Sequence, residues 1–191
     1  RNNLLKEIQK KPSLQETLFV WDEQMVEYGE RIIAARRRFL VRLDEIAAEK
    51  LARLTGGRDS LQTLYRPNCE EGSFAERLHR NLERDILFGA TQSGPHKDDI
   101  SFLVNGREAK VYGSQGQQRS CVLALKLAER EIYQNATGEY PVLLLDDVLS
   151  ELDPRRQEFV LNRIAGGQVF ITCCEDDRLP QMLGGKVFHV K

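Results

Sequence analysis

The sequence predicts an α/β protein with a long helical arm, and three observations support this. Apolar residues recur every three or four positions over residues 14–54, which is the spacing of one helix face. After Thr91, short apolar segments alternate with helical ones, as in α/β folds. One such segment, residues 142–145, is wholly apolar and runs directly into two aspartates.

Composition excludes a membrane protein and gives no global attraction to nucleic acid. Hydrophobic residues make up 41% of 191 residues, and no apolar run is long enough to cross a bilayer. The chain has 28 basic and 29 acidic residues, so any DNA contact must be local. Residues 31–58, with eight basic and three acidic side chains, are the candidate stretch; a solvated helix face is the other explanation.

The cysteines and the first residues indicate a cytoplasmic location and a longer parent protein. Cys69, Cys121, Cys173 and Cys174 have neither C-x-x-C nor zinc spacing, so isolated thiols in a reducing cytosol are expected. The chain starts at Arg1 with a polar, helical segment unlike a secretion signal.

The arm begins after Pro12, which interrupts a helix over residues 1–10. Ser13 and Glu16 form a capping-box pattern, so a long helix is predicted from about residue 14 to 55, ending at Gly56-Gly57. Its predicted seam, with a repeat of 3.5 residues, is Leu14, Leu18, Trp21, Met25, Tyr28, Ile32, Ala35 and Phe39. The phase then slips, and the seam continues through Leu40, Leu43, Ala47, Leu51 and Leu54. A coiled-coil-like or hairpin arm and a long helix in a bundle both remain open, because the seam changes phase near Phe39.

The other arm elements are a strand at residues 61–65 and a helix opened by Ser73 and Glu76. That helix carries Phe74, Leu78 and Leu82 on one face and should end before Gly89. A domain boundary near residue 88 then separates a helical arm subdomain, 1–88, from an α/β lobe, 89–191.

The lobe opens with a predicted hairpin. Ile100, Phe102 and Val104 alternate with polar residues, which predicts the first strand, and Asn105-Gly106 is a type I′ turn signal. Residues 109–112 are predicted to form the second strand of the hairpin. Next come a helix at 115–133, a buried parallel strand at 142–145, a helix at 154–164, and strands at 169–172 and 187–190. The apolar face of the first helix is Val122, Leu125, Ala128 and Ile132.

Two carboxylates follow the buried strand, at the sheet edge where α/β proteins bind ligands. In a nucleotide site Asp146 would hold Mg²⁺ and Asp147 would orient or deprotonate the attacking water. An acidic turn after a core strand is the alternative.

Gly113 to Arg119 precedes an amphipathic helix, and free amides beside small residues are typical of phosphate-binding helix starts. Ser114 and Gln117 also form a capping-box pattern, and both interpretations can hold together. Asp153-Pro154 is a helix cap as well. Capping does not explain the order of glycine-rich helix start, helix, apolar strand, two acids and capped helix.

These motifs together resemble the RecF family of ATP-switched DNA replication and repair proteins. SQGQQRS (114–120) resembles its signature loop, LLLDDVLSELD (143–153) its Walker B strand and D-loop, and SGPHKDD (93–99) a segment placed before the signature loop. FIT (170–172) is similar to its switch strand. The resemblance implies the C-terminal lobe of an ABC-type (P-loop NTPase) ATPase head with an α-helical arm subdomain.

The resemblance also implies residue roles. Ser114, Gln115, Gly116, Gln117 and Arg119 would bind ATP held by a second subunit, with Ser114 and Gly116 facing its γ-phosphate. Asp146 would bind Mg²⁺, Asp147 would be the base, and Asp153 would signal across the dimer. Thr172 stands where most ABC heads have histidine, which implies slow hydrolysis. His96 and Lys97 have no assigned role beyond a structural cap for the hairpin at Asp98-Asp99.

At the level of function, the resemblance implies ATP-dependent homodimers that bind gapped DNA near single-strand to double-strand junctions. The resemblance also implies the partner proteins RecR and RecO and a role in the SOS response. No G-x-x-x-x-G-K-[ST] loop occurs in the chain, and in this family that loop lies in the N-terminal half. The resemblance therefore implies an ABC-type ATPase in the full-length protein, whereas the chain alone is predicted to be inactive.

Two alternatives remain open. The chain could be the head of another SMC-like repair ATPase, although about forty helical residues before the signature loop is short for those coiled coils. It could also be a non-enzymatic interaction module in which the acids are structural and the long helix binds a protein.

Overall fold

The computed structural model describes residues 1–148, 152–164, 166–173 and 186–188. The chain forms two compact units, one of residues 1–42 and 63–102 and the other of residues 43–62 and 103 onward. These two units interleave along the chain. The division into compact units therefore differs from the domain boundary that the sequence predicts near residue 88. The arm subdomain 1–88 and the lobe 89–191 remain a proposal.

Helices and strands alternate along the chain after a helical start. The helices are α1 (Asn2–Ile8), α2 (Leu18–Thr55), α3 (Phe74–Arg80), α4 (Leu82–Phe88), α5 (Ala109–Tyr112), α6 (Gln115–Thr137) and α7 (Pro154–Arg163), with 3-10 turns at Pro12–Thr17 and Pro95–Lys97. The strands are β1 (Leu61–Arg66), β2 (Asp99–Val104), β3 (Arg107–Glu108), β4 (Leu143–Asp146) and β5 (Val169–Thr172). In the described residues, no helix is long and apolar enough to cross a membrane.

The long helix is confirmed, but its predicted start is wrong. Residues 12–17 form a 3-10 turn without a side-chain cap, so the Ser13 capping box is absent and α2 begins at Leu18. Its 38 residues correspond to about 57 Å. Gly56 and Gly57 end it with φ angles of 64° and 79°, as predicted.

The predicted seam of α2 is largely wrong within the first unit. Trp21, Tyr28, Ile32 and Phe39 are 41–54% exposed, whereas Ile33 is buried with Phe74, Cys69 and Leu78. The Phe74 ring selects this face, because a Cβ atom at Gly29 would come within 2.3 Å of it. A second cluster joins α1 to α4 and contains Leu5, Ile8 and Leu18, with Leu82 and Ile86 packed against it.

The helix predicted after Ser73 is two helices, separated at Asn81. The second ends at Gly89, where φ is 61°, which confirms the predicted stop. The Ser73–Glu76 capping box is wrong, because the Ser73 hydroxyl donates to the Glu70 carbonyl. Instead Glu30 on α2 accepts the Phe74 amide at 2.9 Å.

Asp98 holds the turn before β2. Its carboxylate accepts from Arg36 Nη1 at 2.7 Å, from the Asn68 amide at 2.9 Å, and from the Tyr65 hydroxyl. The Asp98 side chain is only 4% exposed. Burial of the Tyr65 phenol and its hydrogen bond to Asp98 raise the pKa of Tyr65 to about 12. His96 Nε2 lies 3.1 Å from the Thr91 carbonyl oxygen, and Lys97 is exposed. The predicted cap of the hairpin at Asp98-Asp99 by these two residues stays a prediction.

The hairpin turn is confirmed, with positive φ at Asn105 (53°) and Gly106 (74°). Its predicted return strand is wrong. A two-residue turn pairs Val104 directly with Arg107, so β3 is Arg107–Glu108 and the chain then turns into α5.

The second unit is built on α6, α7 and the parallel pair β4–β5. Its core contains Leu127, Leu143, Leu145 and Val160, among others. The predicted face of α6 is wrong in one position, because Val122 is 58% exposed while neighbouring Cys121 and Leu123 are buried. Of the predicted last strand, residues 187 and 188 have no regular structure, and residues 189 and 190 lie outside the described residues.

Candidate nucleotide site

Asp146 and Asp147 lie at the carboxyl end of β4. Parallel pairing places Leu145 opposite Ile171 and Asp146 opposite Thr172, so the acids emerge beside the end of β5. The Thr172 hydroxyl donates to Asp146 Oδ1 and accepts from the Asp147 amide at 3.0 Å. Both carboxylates are exposed. This sheet edge therefore presents two solvent-facing acids, one of them oriented by a hydroxyl.

Asp147 has a left-handed backbone, with φ of 51°. Only Asn105 shares positive φ among the described non-glycine residues. Aspartate tolerates this conformation better than most residues. Its amide is held by the Thr172 carbonyl oxygen at 3.2 Å as well as by the hydroxyl. The strand thus ends in a sharp turn fixed from β5.

The start of α6 has the capping box predicted for Ser114 and Gln117. The Ser114 hydroxyl accepts the Gln117 amide at 3.3 Å, and Gln117 Oε1 accepts the Ser114 amide at 3.1 Å. The first-turn amides of Gln115 and Gly116 have no acceptor among the described residues. Both residues are exposed, and around a Cβ position at Gly116 only Arg156 comes within 4 Å. An anion can approach these amides closely.

Both ends of the Gln117 side-chain amide form hydrogen bonds within the protein. Besides its capping bond, its Nε2 donates to Asp59 Oδ1 at 2.9 Å, and that oxygen also accepts from Asn105 Nδ2 at 2.8 Å. Gln117 therefore anchors the α6 start to the segment after α2 and to the hairpin turn. Sequence reasoning missed Asp59, whose only signal was its place after Gly56-Gly57.

The start of α7 has the predicted cap. Asp153 Oδ1 accepts the Arg156 amide at 3.0 Å, and Pro154 takes the first helical position. Arg156 reaches back toward α6, with Nη1 3.8 Å from the Cβ position of Gly116. The helix starts that carry Ser114 and Asp153 are therefore neighbours. Ser150 and Glu151, in the predicted D-loop, lie outside the described residues.

The structure thus gives two local arrangements within the second unit. Asp146 and Asp147 meet Thr172 at the strand ends, and Gly116 and Asp153 both lie beside Arg156. Arg119 is exposed one helical turn further along α6. Sequence reasoning missed Arg156, whose only signal was its place in the first turn after Asp153.

The chemistry of these groups suits a nucleotide polyphosphate. Free amides at a helix start attract phosphate, and an exposed carboxylate at a sheet edge can bind Mg²⁺ together with phosphate oxygens. No group of three or more His, Cys, Asp or Glu side chains that could hold a metal occurs in the described residues. One or two carboxylates suffice when phosphates complete the shell.

This fold and motif order define the class, the α/β lobe of an ABC-type ATPase head, as the sequence predicted. Two solved structures match it: "the recombination mediator protein RecF-ATPrS in RecFOR pathway", with TM-score 0.80 and 38% identity, and its RecF-ATP counterpart, with TM-score 0.81 and 37% identity. Each match covers 92% of this chain and 50% of the other.

Curated RecF sequences are also similar to this chain. The chain is 42% identical over an alignment of 197 residues to the DNA replication and repair protein RecF of Lachnoclostridium phytofermentans, covering 98% of this chain and 55% of that protein. RecF of Lachnospira eligens is 45% identical over 175 residues, covering 91% of this chain and 48% of that protein. No protein-family model matches.

The chain is therefore related to RecF along nearly its whole length, which confirms the resemblance predicted from the motifs. It spans about half the length of the curated relatives it matches.

Proposed function

We propose that this chain supplies one part of an ATP-switched recombination mediator of the RecF type, acting in DNA repair. The observation that carries the proposal is the presence, in one unit, of two kinds of group that can meet phosphate or Mg²⁺. These are the free amides of Gln115 and Gly116, and the exposed carboxylates of Asp146 and Asp147, the first of them oriented by Thr172. Relatives and solved neighbours named RecF, two of them RecF-nucleotide complexes, support the same reading.

In this proposal Ser114, Gln115, Gly116, Gln117 and Arg119 form the nucleotide-facing edge of α6. Gln117 acts by holding the loop, since both ends of its amide are engaged. Asp146 binds Mg²⁺, Asp147 orients the attacking water, and Asp153 relays the nucleotide state to a partner subunit. Bound Mg²⁺-ATP would supply the charge that joins two heads.

The proposed site needs a second polypeptide segment. The chain contains no G-x-x-x-x-G-K-[ST] loop. Apolar side chains on one face of the β4–β5 pair and just before it also remain exposed: Val142 at 55%, Leu144 at 69% and Phe170 at 51%. Parallel sheets are normally covered on both faces. We propose that the rest of the relatives' length covers this face and brings the phosphate loop, so the chain alone is inactive.

The partners follow from the same proposal. The assembled protein forms ATP-dependent homodimers, binds gapped DNA near single-strand to double-strand junctions, and works with RecR and RecO in the cytoplasm. The printed names of the relatives and solved structures support DNA repair and the RecFOR pathway.

The test uses this chain co-expressed with the missing half of RecF from Lachnoclostridium phytofermentans. Sizing with ATP, with ADP and without nucleotide should show dimers with ATP alone. Ser114→Arg should abolish them, because a large cation side chain would occupy the γ-phosphate position. Val122→Arg, at an exposed position further along α6, is the matched control. Dimers that ignore nucleotide, or that survive Ser114→Arg, would refute the proposal.

A non-enzymatic interaction module is the second candidate. The exposed stripe of Trp21, Tyr28, Ile32 and Phe39 on α2 favours it, since such a stripe can dock a partner protein. Asp146→Asn with Asp147→Asn separates the two functions. A structural pair should tolerate the change, whereas a Mg²⁺ site should lose ATP-dependent dimers in the two-half complex.

A further inference from the structure

Arg156 lies between the two helix starts of the second unit. Its backbone amide donates to Asp153 Oδ1 at 3.0 Å, so the residue is fixed in the first turn of α7. Its guanidinium extends toward α6, with Nη1 3.8 Å from the Cβ position of Gly116. A permanent cation therefore stands beside the free amides of Gln115 and Gly116.

Arg156 is largely buried and leaves one donor without an acceptor. Its side chain is 18% exposed, and its Nε forms an ion pair with Asp153 Oδ2 at 3.3 Å. The Nε atom is buried and makes no hydrogen bond within the described residues. A buried donor without an acceptor costs stability, so a ligand that accepts from this side chain would be favoured.

The position suits an anionic ligand. Arginine recognises phosphate through two parallel hydrogen bonds, which neutral amides alone do not match in strength. Asp153 offsets only part of the charge, because its own side chain is 49% exposed. The free amides and the cation point to the same ligand chemistry.

We propose that Arg156 is a phosphate-binding residue that contacts the terminal phosphate of a nucleoside triphosphate beside Ser114 and Gly116. This inference rests on the proposed function, since it assigns a further residue to that site. Because the same side chain pairs with Asp153, nucleotide binding also acts on the cap of α7.

The test has two parts, stability of this chain and nucleotide-dependent dimerisation of the two-half complex. Arg156→Gln and Arg156→Lys are compared with Arg155→Gln, a neighbouring, exposed arginine on the same helix turn. In the chain alone, Arg156→Gln should change the melting temperature little, because the side chain makes a single ion pair, with the 49% exposed Asp153.

In the two-half complex, Arg156→Gln should weaken ATP-dependent dimerisation about tenfold or more, the loss expected for a hydrogen bond to a charged group. Arg156→Lys should recover part of this loss, and Arg155→Gln should behave as wild type. Affinity without nucleotide should not change.

The outcomes separate this inference from the function on which it rests. Wild-type complex that fails to dimerise with ATP would refute the proposed function. Wild-type dimers matched by equally strong Arg156→Gln dimers would refute the role of Arg156 alone. A large drop in the melting temperature of Arg156→Gln would show a structural role instead.

Discussion

The hydroxyl of Thr172 donates a hydrogen bond to the carboxylate of Asp146 across the parallel strands β5 and β4. The same hydroxyl accepts the amide of Asp147 at 3.0 Å. One side chain on β5 therefore orients the proposed Mg²⁺ ligand and fixes the turn that presents the next acid.

Thr172→Val should destabilise the chain by about 1 kcal/mol, the usual net value of a lost hydrogen bond, with little change of volume. Urea unfolding followed by circular dichroism measures it. Thr172→Ser, which keeps the hydroxyl, should stay close to wild type. A valine variant as stable as wild type would contradict the stabilising role of the hydroxyl.

Ser114→Ala should cost about 1 kcal/mol, because the Gln117 amide loses its acceptor at the start of α6. Thermal unfolding of this chain measures the loss. Gln115→Ala is the control, since Gln115 is exposed and adjacent but makes no capping bond. A Ser114→Ala variant as stable as the control would contradict the capping role and leave Ser114 with a nucleotide role alone.

Asp98→Ala should be more damaging, at about 2 kcal/mol, because it leaves the Asn68 amide and the Tyr65 hydroxyl without their acceptor. The control is Asp99→Ala, whose carboxylate only caps its neighbour Ile100 at 2.8 Å. Chemical denaturation of both variants tests the difference. Similar losses would show that Asp98 does not organise this turn.

Stability of the first unit should fall at high pH through Tyr65. Its pKa rises from 10.0 to about 12 in the folded chain, so folding favours the neutral phenol. This contribution is complete below the unfolded pKa of about 10 and is lost as pH rises toward about 12. Unfolding free energies of wild type and Tyr65→Phe, measured from pH 8 upward, should converge over that window. A constant difference would contradict the assignment.

Sequence patterns predicted elements better than faces. The glycine stops of α2 and α4, the Asn105-Gly106 turn and the caps at Ser114 and Asp153 were all predictable, because each depends on local backbone chemistry. The first part of the α2 seam was not, because several apolar stripes share that helix. Contact with Phe74, 45 residues after Gly29, decides which stripe is buried. The predicted continuation through Leu40, Leu43, Ala47, Leu51 and Leu54 is buried.

The candidate site divides in the same way. The acids after β4 and the glycine-containing start of α6 were visible as motifs, since their spacing is set within a few residues. Arg156 and Asp59 were not visible, because their importance comes from reaching Gly116 and Gln117 across the fold.

The sequence by itself determined the fold class, the kinship with RecF and the residues proposed to bind phosphate, because these depend on ordered motifs with local geometry. Only the tertiary structure decided which face of α2 is buried, that Thr172 holds Asp146, and that Arg156 stands beside Gly116. Such contacts join residues far apart in the chain, and no local preference encodes them.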